Sequence, residues 1–553
     1  MESYPSYIAG QDAPVDKWLY AIDASSIFDD AFGAIRLKRD LAKGAEPDPT
    51  DARIVGRVAL STTEQTLEAL RAARAAQPEW GAWSLERRLE FGARVHQRIK
   101  DRSDEFVEVL IAEGHPRRLA QWEVAGVIQC SSPETFAANA RMMEHRERIG
   151  DREIRLVRKG DGVVCLSPPQ NAAASNSMLG VHALAAGNSL VVKAPRSAPY
   201  GVAWAWRELV ASVLEEMDAP KGVLSIVSGV PKVLLDQWLA SDDVDDIFFF
   251  GSSERGIEIG KRCVEAGKKP VLELAGNDGV LVWRDADLDN AALAISECFY
   301  GSSQICMVPK YVIAHPEIAD ELVERLVKLV ADIRPGRPGD PDVLLSPVLR
   351  TGDFSAVLDE AVADGAVLVS GGHRIAEDGT RDSSGVFLEP TLLRVDGYER
   401  AEKTRAVREE TFYPLLAIVV PEQAGPEQAG PQQTGSGQTD EAAFDEALRF
   451  MNANPYGLRN SLWSENAELV ERFCARLDNG GILKVNDSHL GFVPGIPSHG
   501  GNGLSGGPFG EANFPMLRTS HLQAVSIATN VTPRARVFES ALPPADSAAG
   551  GAR

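Results

Sequence analysis

The chain has 553 residues, of which 44% are hydrophobic, so it is long enough for more than one domain with a large core. Its 57 basic and 79 acidic residues give a formal net charge of −22. This acidity disfavours nucleic acids and anionic membranes as partners, because both attract basic surfaces.

The cysteine usage and the N-terminus bear on the cellular compartment. The six cysteines form no CxxC pair and no His/Cys cluster at zinc spacing, so we expect no metal site and no disulfide framework. No basic segment followed by an apolar one opens the chain, and no run of about 18 apolar residues occurs. These features predict a protein of the reducing cytoplasm.

The first half of the chain divides into three predicted parts. Residues 1–51 are weakly periodic and predict an N-terminal extension with one helix near 27–41. Apolar residues at helical spacing predict helices over 62–76 and 85–109. Residues 152–166 predict two strands on either side of a Lys-Gly-Asp-Gly turn.

Strand and helix patterns alternate through the middle of the chain. Between 187 and 267 the predicted strands cover 189–193, 223–227 and 246–250, separated by helices over 200–217, 231–239 and 253–267. Repeated β-α units of this length predict a parallel sheet with crossover helices, so the fold class is α/β. A second α/β pattern runs from 287 to 420, with helices over 319–333 and 354–364.

Two segments have the composition of flexible chain. Residues 422–440 contain a repeat of Glu-Gln-Ala-Gly-Pro and are rich in Gln, Gly and Thr, which predicts a flexible surface insertion. The last residues, 531–553, are rich in Ala, Pro and Ser and predict a disordered tail.

A cysteine and a glutamate carry the predicted chemistry. Glu273 ends the strand-like run Val-Leu-Glu-Leu-Ala-Gly-Asn, and Cys306 follows the turn Gly-Ser-Ser-Gln-Ile 33 positions later. A cysteine is a strong nucleophile at neutral pH because part of it is thiolate. A carboxylate in an apolar pocket has a raised pKa and can act as a general base. The pair predicts covalent attack on a carbonyl followed by activation of water.

From about 52 to 530 the chain resembles the aldehyde dehydrogenase superfamily, on Ser-Gln-Ile-Cys at 303–306, Glu-Leu-Ala-Gly at 273–276 and Glu-Thr-Phe-Tyr-Pro at 410–414. The stretch 409–414 and the length also resemble the branch associated with phenylacetate-type degradation. The chain departs from the superfamily pattern at four positions: Pro169, Ala275, Ser303 and Tyr413.

The resemblance implies oxidation of an aldehyde to a carboxylic acid with NAD(P), through a thiohemiacetal and a thioester on Cys306 and with Glu273 activating water. The superfamily uses an asparagine amide to stabilise the oxyanion. Here either Asn171 or Gln170 can occupy that position, and the stiffer side chain of Asn171 is favoured.

The resemblance also implies a dinucleotide site. Lys193 would hold the adenosine ribose, and Arg196 stands where many NAD-using relatives have glutamate. Because a guanidinium pairs well with a 2′-phosphate, Arg196 favours NADP over NAD. The remaining cofactor positions implied are Ser167, Pro168, Gly229, Gly251, Ser252, Leu274, Glu410 and Phe412.

The resemblance implies a Rossmann-like cofactor domain, a catalytic domain and an oligomerisation arm. The expected boundaries are 52–140 with 163–272 for the cofactor domain, 273–498 for the catalytic domain, 141–162 with 519–530 for the arm, and 499–518 for a return to the cofactor domain. An exposed apolar arm strand needs a partner, so a homodimer or homotetramer is expected.

Three alternatives stay open at this point. A CoA-acylating dehydrogenase would pass the acyl group to CoA, although such relatives typically lack the glutamate. A non-catalytic subunit of the same shape would explain the four departures from the pattern. A nucleic-acid-binding role is the least favoured, because of the acidic charge.

Overall fold

The structure, a computed structural model, describes residues 1–150, 152–422, 436–507 and 510–528. Two α/β domains are each built on a seven-stranded sheet, and a three-stranded arm extends from them. The predicted α/β class, with Rossmann-like and catalytic domains, is confirmed. The predicted tail over 531–553 and most of the predicted insertion lie outside the described residues.

The first sheet belongs to the expected cofactor domain. Five parallel strands form it, and two short antiparallel strands from the N-terminus extend one edge. In spatial order they are Lys269–Glu273, Asp246–Phe250, Val163–Ser167, Ser189–Ala194, Leu224–Ser228, Tyr7–Ile8 and Gln11–Asp12. The central strands are buried along their whole length, as expected for a sheet covered on both faces.

The N-terminal residues are more ordered than the sequence predicts. Besides Tyr7–Ile8 and Gln11–Asp12 in the first sheet, Glu2–Tyr4 and Trp18–Ile22 flank Ile54–Ala59 in a small sheet. The predicted helix is present as Ser26–Ala42. The strands of residues 1–51 therefore pack on the cofactor domain, because even two- and three-residue strands can add edge hydrogen bonds that short-range periodicity does not reveal. The helix also reaches the catalytic domain, where Phe28 stacks on Phe387.

The helices around the first sheet include those predicted over 62–76, 200–217, 231–239 and 253–267, together with others that the sequence did not predict. They are Thr63–Gly81, Leu85–Asp101, Ser103–Ala112, Arg117–Cys130, Pro133–Met143, Ala173–Ser177, Gly180–Ala185, Tyr200–Trp204, the π-helical Ala205–Ala211, Ser212–Glu216, Pro231–Ala240 and Ser253–Glu265. The predicted single helix over 85–109 breaks at Arg102, whose φ of −117° and ψ of 22° are not helical. Arg102 instead pairs with Glu105 and Glu208.

The second sheet forms the catalytic domain. Its strands in spatial order are Val367–Ser370, Thr391–Asp396, Leu415–Val420, Pro309–Ala314, Asp278–Val282, Arg459–Trp463 and Ile482–Val485, of which the first is antiparallel to its neighbour and the rest are parallel. Two small ribbons pair Arg374–Ile375 with Phe387–Leu388, and Tyr456–Gly457 with Asn502–Gly503. The helices are Leu288–Ser296, the 3-10 helix Glu297–Ser303, Ala319–Val330, Thr351–Ala363, Tyr398–Lys403, Arg405–Arg408, Ser436–Asn452 and Ala467–Arg476. The helix Pro515–Arg518 packs instead on the cofactor domain, where Met516 is part of the core.

The end of the predicted insertion is helical. Residues 436–440, which the sequence assigns to flexible chain, begin the helix Ser436–Asn452. Phe444, Leu448 and Met451 recur at helical spacing in that helix and are buried in the core of the catalytic domain. Burial of this apolar face stabilises a helix that extends upstream into polar residues.

The arm is an exposed antiparallel sheet with the strand order Ser520–Ala528, Arg152–Gly160 and Glu144–Ile149. Leu522 and Ile149 are more than half exposed on it. In the described part of the chain, no helix is both long and apolar enough to cross a bilayer.

Candidate active site

The candidate site lies where the two sheets face each other. Ser167, Lys193 and Glu273 stand at or next to the carboxyl ends of adjoining parallel strands in the first sheet. Ligands of open α/β sheets bind at this edge. Cys306 lies in the loop that leads into Pro309–Ala314 of the second sheet. The fold therefore brings Cys306 together with residues that lie 33 or more positions before it in the sequence.

An unusual backbone turn positions Cys306. Gly301, Ser302 and Ser303 have φ values of 60°, 57° and 58°, a left-handed run that side chains rarely adopt. The Ser302 hydroxyl donates to the Ser346 carbonyl at 2.6 Å, and the Ser303 hydroxyl donates to the Cys298 carbonyl. These bonds hold the two serine side chains of this left-handed turn.

Gly276 allows the strand end to approach the nucleophile loop. A Cβ atom at Gly276 would lie 2.1 Å from the Cys306 carbonyl oxygen, so only glycine fits there. Its N–H donates to Glu410 Oε1 at 2.9 Å. This one glycine therefore connects Cys306 with Glu410, and the departure at Ala275 leaves the close contact intact.

The protonation of Cys306 differs from the sequence-based expectation. Burial, followed by the charges of Glu273 and Glu410, raises the pKa of the Cys306 thiol well above its usual range. This environment favours the thiol over the thiolate at neutral pH, whereas the sequence reasoning expects part of the side chain as thiolate. A proton acceptor is needed before Cys306 can attack.

Glu273 has the environment of a general base. It is 2% exposed, and its Oε2 accepts the Gly500 N–H at 2.8 Å. Its Oε1 is buried and has no hydrogen-bond partner among the described residues. Burial, only partly opposed by the Gly500 hydrogen bond, raises the pKa of Glu273 to about 8. A carboxyl group with this pKa can take up and release protons near neutral pH.

The structure distinguishes the two candidate oxyanion donors. Asn171 Nδ2 donates to the Gln304 carbonyl at 2.9 Å, two residues before Cys306, and its second N–H is left for a ligand. Gln170 is exposed, although both residues line the space around Cys306. Asn171 is therefore the more rigidly held amide.

Lys310 is a site residue that the sequence reasoning missed. Its fully buried ammonium group donates to the carbonyls of Ser303 at 2.9 Å and of Thr411 at 2.7 Å. It lies 5.4 Å from the centre of the Phe412 ring. Burial raises the pKa of Glu410 to about 7, and the Lys310 charge opposes that rise. A lysine four positions after a nucleophilic cysteine is the signal that could have identified it.

Two cavities meet at Cys306. The smaller has a volume of about 370 Å³ and the larger about 600 Å³. The residues that line both are Gln170, Asn171, Asn176, Gln304, Cys306, Leu349 and His499. Cys306, Asn171 and Gln170 therefore stand at the junction, where a group bound in one cavity can react with a group bound in the other.

Most predicted cofactor residues line the larger cavity. They are Ser167, Pro168, Lys193, Gly251, Ser252, Leu274, Glu410 and Phe412. Arg196 is exposed and does not line it, and Gly229 is buried nearby without lining it. The sequence did not show that these two positions lie outside the cavity lining. Each stands in a loop just after a strand, where a few residues decide which side chains reach the cavity.

The larger cavity has features that fit a dinucleotide. Lys193 Nζ, 7% exposed, donates to the Ser167 hydroxyl at 3.0 Å, and burial followed by the charge of Arg255 lowers the pKa of Lys193 to about 8. Arg255 lines the cavity in the first turn of Ser253–Glu265, whose N-terminus favours phosphate groups. Trp238 also lines it, with a buried indole N–H that no described residue accepts.

His499, which lines both cavities, and Tyr413, one of the four departures from the superfamily pattern, are both held by packing and hydrogen bonds. His499 Nε2 contacts Asn176 Oδ1 at 3.1 Å and Nδ1 contacts the Ser498 hydroxyl at 2.8 Å, while burial lowers the pKa of His499 to about 3. It is a neutral wall residue. Tyr413 is buried, and its ring packs edge-on against Phe354 at 5.6 Å in the catalytic core.

The fold and the paired cavities define a two-domain oxidoreductase of the nicotinamide-dependent kind. Comparison with known proteins gives its family. The sequence profile of the aldehyde dehydrogenase family matches residues 39–425 and 439–523, so the chain belongs to this family. It is an NAD(P)-dependent enzyme acting on aldehydes.

The chain is similar to characterised relatives over most of its length. It is 28% identical to the chloroplastic betaine aldehyde dehydrogenase of Beta vulgaris, over 81% of this chain and 85% of that protein. It is 28% identical to the vanillin dehydrogenase of Pseudomonas fluorescens, over 86% of this chain and 93% of that protein.

Solved structures share the fold at lower identity. An NAD-dependent aldehyde dehydrogenase from Sinorhizobium meliloti superimposes with a TM-score of 0.77 at 21% identity, covering 97% of each chain. A glyceraldehyde-3-phosphate dehydrogenase from Methanocaldococcus jannaschii, complexed with NADP, gives a TM-score of 0.71 at 23% identity, covering 86% of this chain and 96% of that one.

Proposed function

We propose that this protein oxidises an aldehyde to a carboxylic acid through a covalent intermediate on Cys306. The observation that carries the proposal is that Cys306 stands at the junction of the two cavities, near a buried glutamate with an unpaired oxygen. The smaller cavity takes the aldehyde, and the larger one takes NAD(P).

The first step is the attack of Cys306 on the aldehyde carbon. Because burial keeps Cys306 protonated, its proton must leave as the carbon–sulfur bond forms. Glu273 accepts it, since its pKa of about 8 and its unpaired Oε1 suit proton uptake. Asn171 Nδ2 and the Cys306 backbone N–H stabilise the oxyanion of the thiohemiacetal.

The larger cavity would hold the oxidising cofactor. Lys193, Ser252 and Arg255 would hold the adenosine and phosphate groups, and Glu410 the nicotinamide ribose. A nicotinamide bound there would supply the acceptor for the hydride that the thiohemiacetal carbon on Cys306 loses when it becomes a thioester. Glu273, once its proton has passed to solvent, then takes a proton from water as the water attacks the thioester. The carbon–sulfur bond breaks, the carboxylic acid leaves, and the Cys306 sulfur takes up a proton to return to the thiol.

The proposal is tested by measuring reduced cofactor with a panel of aliphatic and aromatic aldehydes. Cys306→Ala should abolish turnover, whereas Cys298→Ala should retain it, because Cys298 is a fully buried core residue eight positions away. Glu273→Gln should slow steady-state turnover more than the first turnover. Cofactor binding without turnover of any aldehyde would favour the non-catalytic subunit and overturn the proposal.

A CoA-acylating activity is the second candidate. The buried base Glu273 argues against it, because transfer to CoA needs no activated water. Adding CoA to the same assay distinguishes the two. Formation of acyl-CoA in place of the free acid would replace hydrolysis as the assigned reaction.

For the cofactor, we retain the preference for NADP over NAD but place it on different residues. Arg196 does not line the larger cavity, whereas Arg255 and Lys193 do. Among the described lining residues, the carboxylates Glu273 and Glu410 belong to the Cys306 end of the cavity, so neither opposes a 2′-phosphate beside these cations.

For the assembly, we retain the prediction of a homodimer or homotetramer formed through the arm. The exposed edge of Ser520–Ala528 and the exposed Leu522 are a template for pairing with a second chain. Light scattering should give a mass of two or four chains, and Leu522→Asp should shift it towards the monomer. A monomeric wild-type protein would contradict this proposal.

A further inference from the structure

The smaller cavity is large enough for a substituted ring. Its volume of about 370 Å³ is well over twice the roughly 150 Å³ of a protein cavity that holds benzene. Trp122 and Phe492 form an aromatic wall with ring centres 5.2 Å apart. Phe492 lies directly on Gly126, where a Cβ atom would approach its ring to 2.4 Å, so the position of this wall is fixed.

A polar group interrupts this apolar lining. His115, Glu123 and Ser175 line the smaller cavity and do not line the larger one. His115 Nδ1 contacts Glu123 Oε1 at 2.7 Å, and the Ser175 hydroxyl donates to Glu123 Oε2 at 2.5 Å. Glu123 Oε1 therefore orients the imidazole, and the Ser175 hydroxyl holds the carboxylate through Oε2.

The remaining ring nitrogen of His115 is left for a ligand. No residue in the described ranges hydrogen-bonds Nε2, although His115 is only 11% exposed. Burial lowers the pKa of His115, but the charge of Glu123 and its hydrogen bond outweigh this and leave the pKa raised. Depending on the proton, Nε2 either donates or accepts one hydrogen bond.

The charges around the cavity select against anions. Glu113, whose carboxylate accepts the Tyr200 N–H at 3.1 Å, also lines it. No lysine or arginine is among the described lining residues, so Glu113 and Glu123 face the ligand without a cationic side chain other than His115. A carboxylate or phosphate placed there would be desolvated without a lysine or arginine among the described lining residues to pair with it.

We propose that the smaller cavity takes an uncharged aldehyde that carries a hydroxyl group, which His115 binds through Nε2. The inference rests on the proposed aldehyde oxidation at Cys306 and assigns the substrate class of that site. A hydroxyl group can both donate and accept, so it satisfies Nε2 in either protonation state, whereas a methyl group satisfies neither. Glu123 acts as the residue that positions His115.

The test compares kcat/KM for three aldehydes that share one ring: 4-(hydroxymethyl)benzaldehyde, 4-methylbenzaldehyde and 4-carboxybenzaldehyde. The wild-type protein should favour the hydroxymethyl compound over the methyl one by about tenfold, the effect of one hydrogen bond of about 1.4 kcal/mol. The carboxy compound should be the poorest. His115→Leu should bring the hydroxymethyl-to-methyl ratio close to one, and Glu123→Gln should lower it.

His96→Leu is the matched control, because His96 is a partly buried histidine that does not line the cavity. It should keep the wild-type ratio. Turnover with no preference for the hydroxymethyl compound, or a preference that survives in His115→Leu, overturns the inference and leaves the proposed function standing. If the wild-type protein oxidises none of the three compounds and no aldehyde of the wider panel, both the proposed function and this inference are overturned. If His115→Leu does not fold, the role of His115 is decided by the hydroxymethyl-to-methyl ratio of kcat/KM in the wild-type protein and in Glu123→Gln.

Discussion

The proposed role of Glu273 as the base for hydrolysis gives a quantitative prediction about pH. With a pKa of about 8, raised by burial, Glu273 is ionised in about 9% of molecules at pH 7 and in about 91% at pH 9. Hydrolysis of the thioester should therefore become about tenfold faster over this range. The rate should level off above pH 9, where nearly all of Glu273 is ionised.

The assay must separate hydrolysis from the attack of Cys306, because the Cys306 thiol also loses its proton more readily as pH rises. Rapid mixing with saturating aldehyde and NAD(P)⁺ gives a burst of reduced cofactor that reports formation of the thioester. The steady rate that follows reports hydrolysis, provided that reduced cofactor dissociates faster. The pH profile of this steady rate is the quantity to compare.

Glu273→Gln provides the control for this profile. Without a titrating carboxyl group, its steady rate should be low and should lose the rise between pH 7 and pH 9. A variant that hydrolyses the thioester with the wild-type profile would refute the assignment of Glu273. A wild-type profile that is flat from pH 6 to pH 9 would refute the reasoning from burial.

Three further predictions concern single residues. Asn171→Ala should lower kcat by about 10²–10³-fold through loss of an oxyanion donor, and Gln170→Ala by far less; equal losses in the two steady-state assays would contradict the choice of Asn171. Arg255→Ala should lower kcat/KM for NADP⁺ relative to NAD⁺, whereas Arg196→Ala should leave that ratio unchanged; the opposite result would return the 2′-phosphate to Arg196. Because its pKa is higher when folded, ionisation of Glu273 opposes folding above pH 4.5, and the penalty is complete above about pH 8. The free energy of unfolding of Glu273→Gln should thus exceed that of the wild type by up to about 5 kcal/mol at pH 9, and the two should be equal at pH 4. Denaturant titration at pH 4 and at pH 9 measures this difference in free energy of unfolding. The same difference at both pH values would contradict the assigned pKa change of Glu273 on folding.

The sequence was most informative where periodicity is local. The strand Asp246–Phe250 and the start of the helix Ser253–Glu265 lie where the alternation of apolar runs and turns predicts them. It was less informative for Tyr7–Ile8, because two residues carry no period and are held by pairing with Leu224–Ser228. The break at Arg102 depends on Glu208, which is 106 positions away.

The same distinction applies to the site. Motif spacing singled out Cys306 and Glu273 as the proposed nucleophile and base, because a thiol and a carboxylate suit covalent chemistry on a carbonyl. It did not identify Lys310, whose partners are the backbone carbonyls of Ser303 and Thr411. A backbone carbonyl has no letter in the sequence, so such a contact exists only after folding.

By itself, the sequence determined the α/β class and the family resemblance, and it singled out the proposed nucleophile and base, since these inferences follow from residue types and local order. Only the tertiary structure decided the protonation of Cys306, the choice of Arg255 over Arg196 in the cavity, and the orientation of His115 by Glu123. The physical reason is that pKa values and cavity walls depend on burial and on charges from distant parts of the chain, and folding alone brings these together.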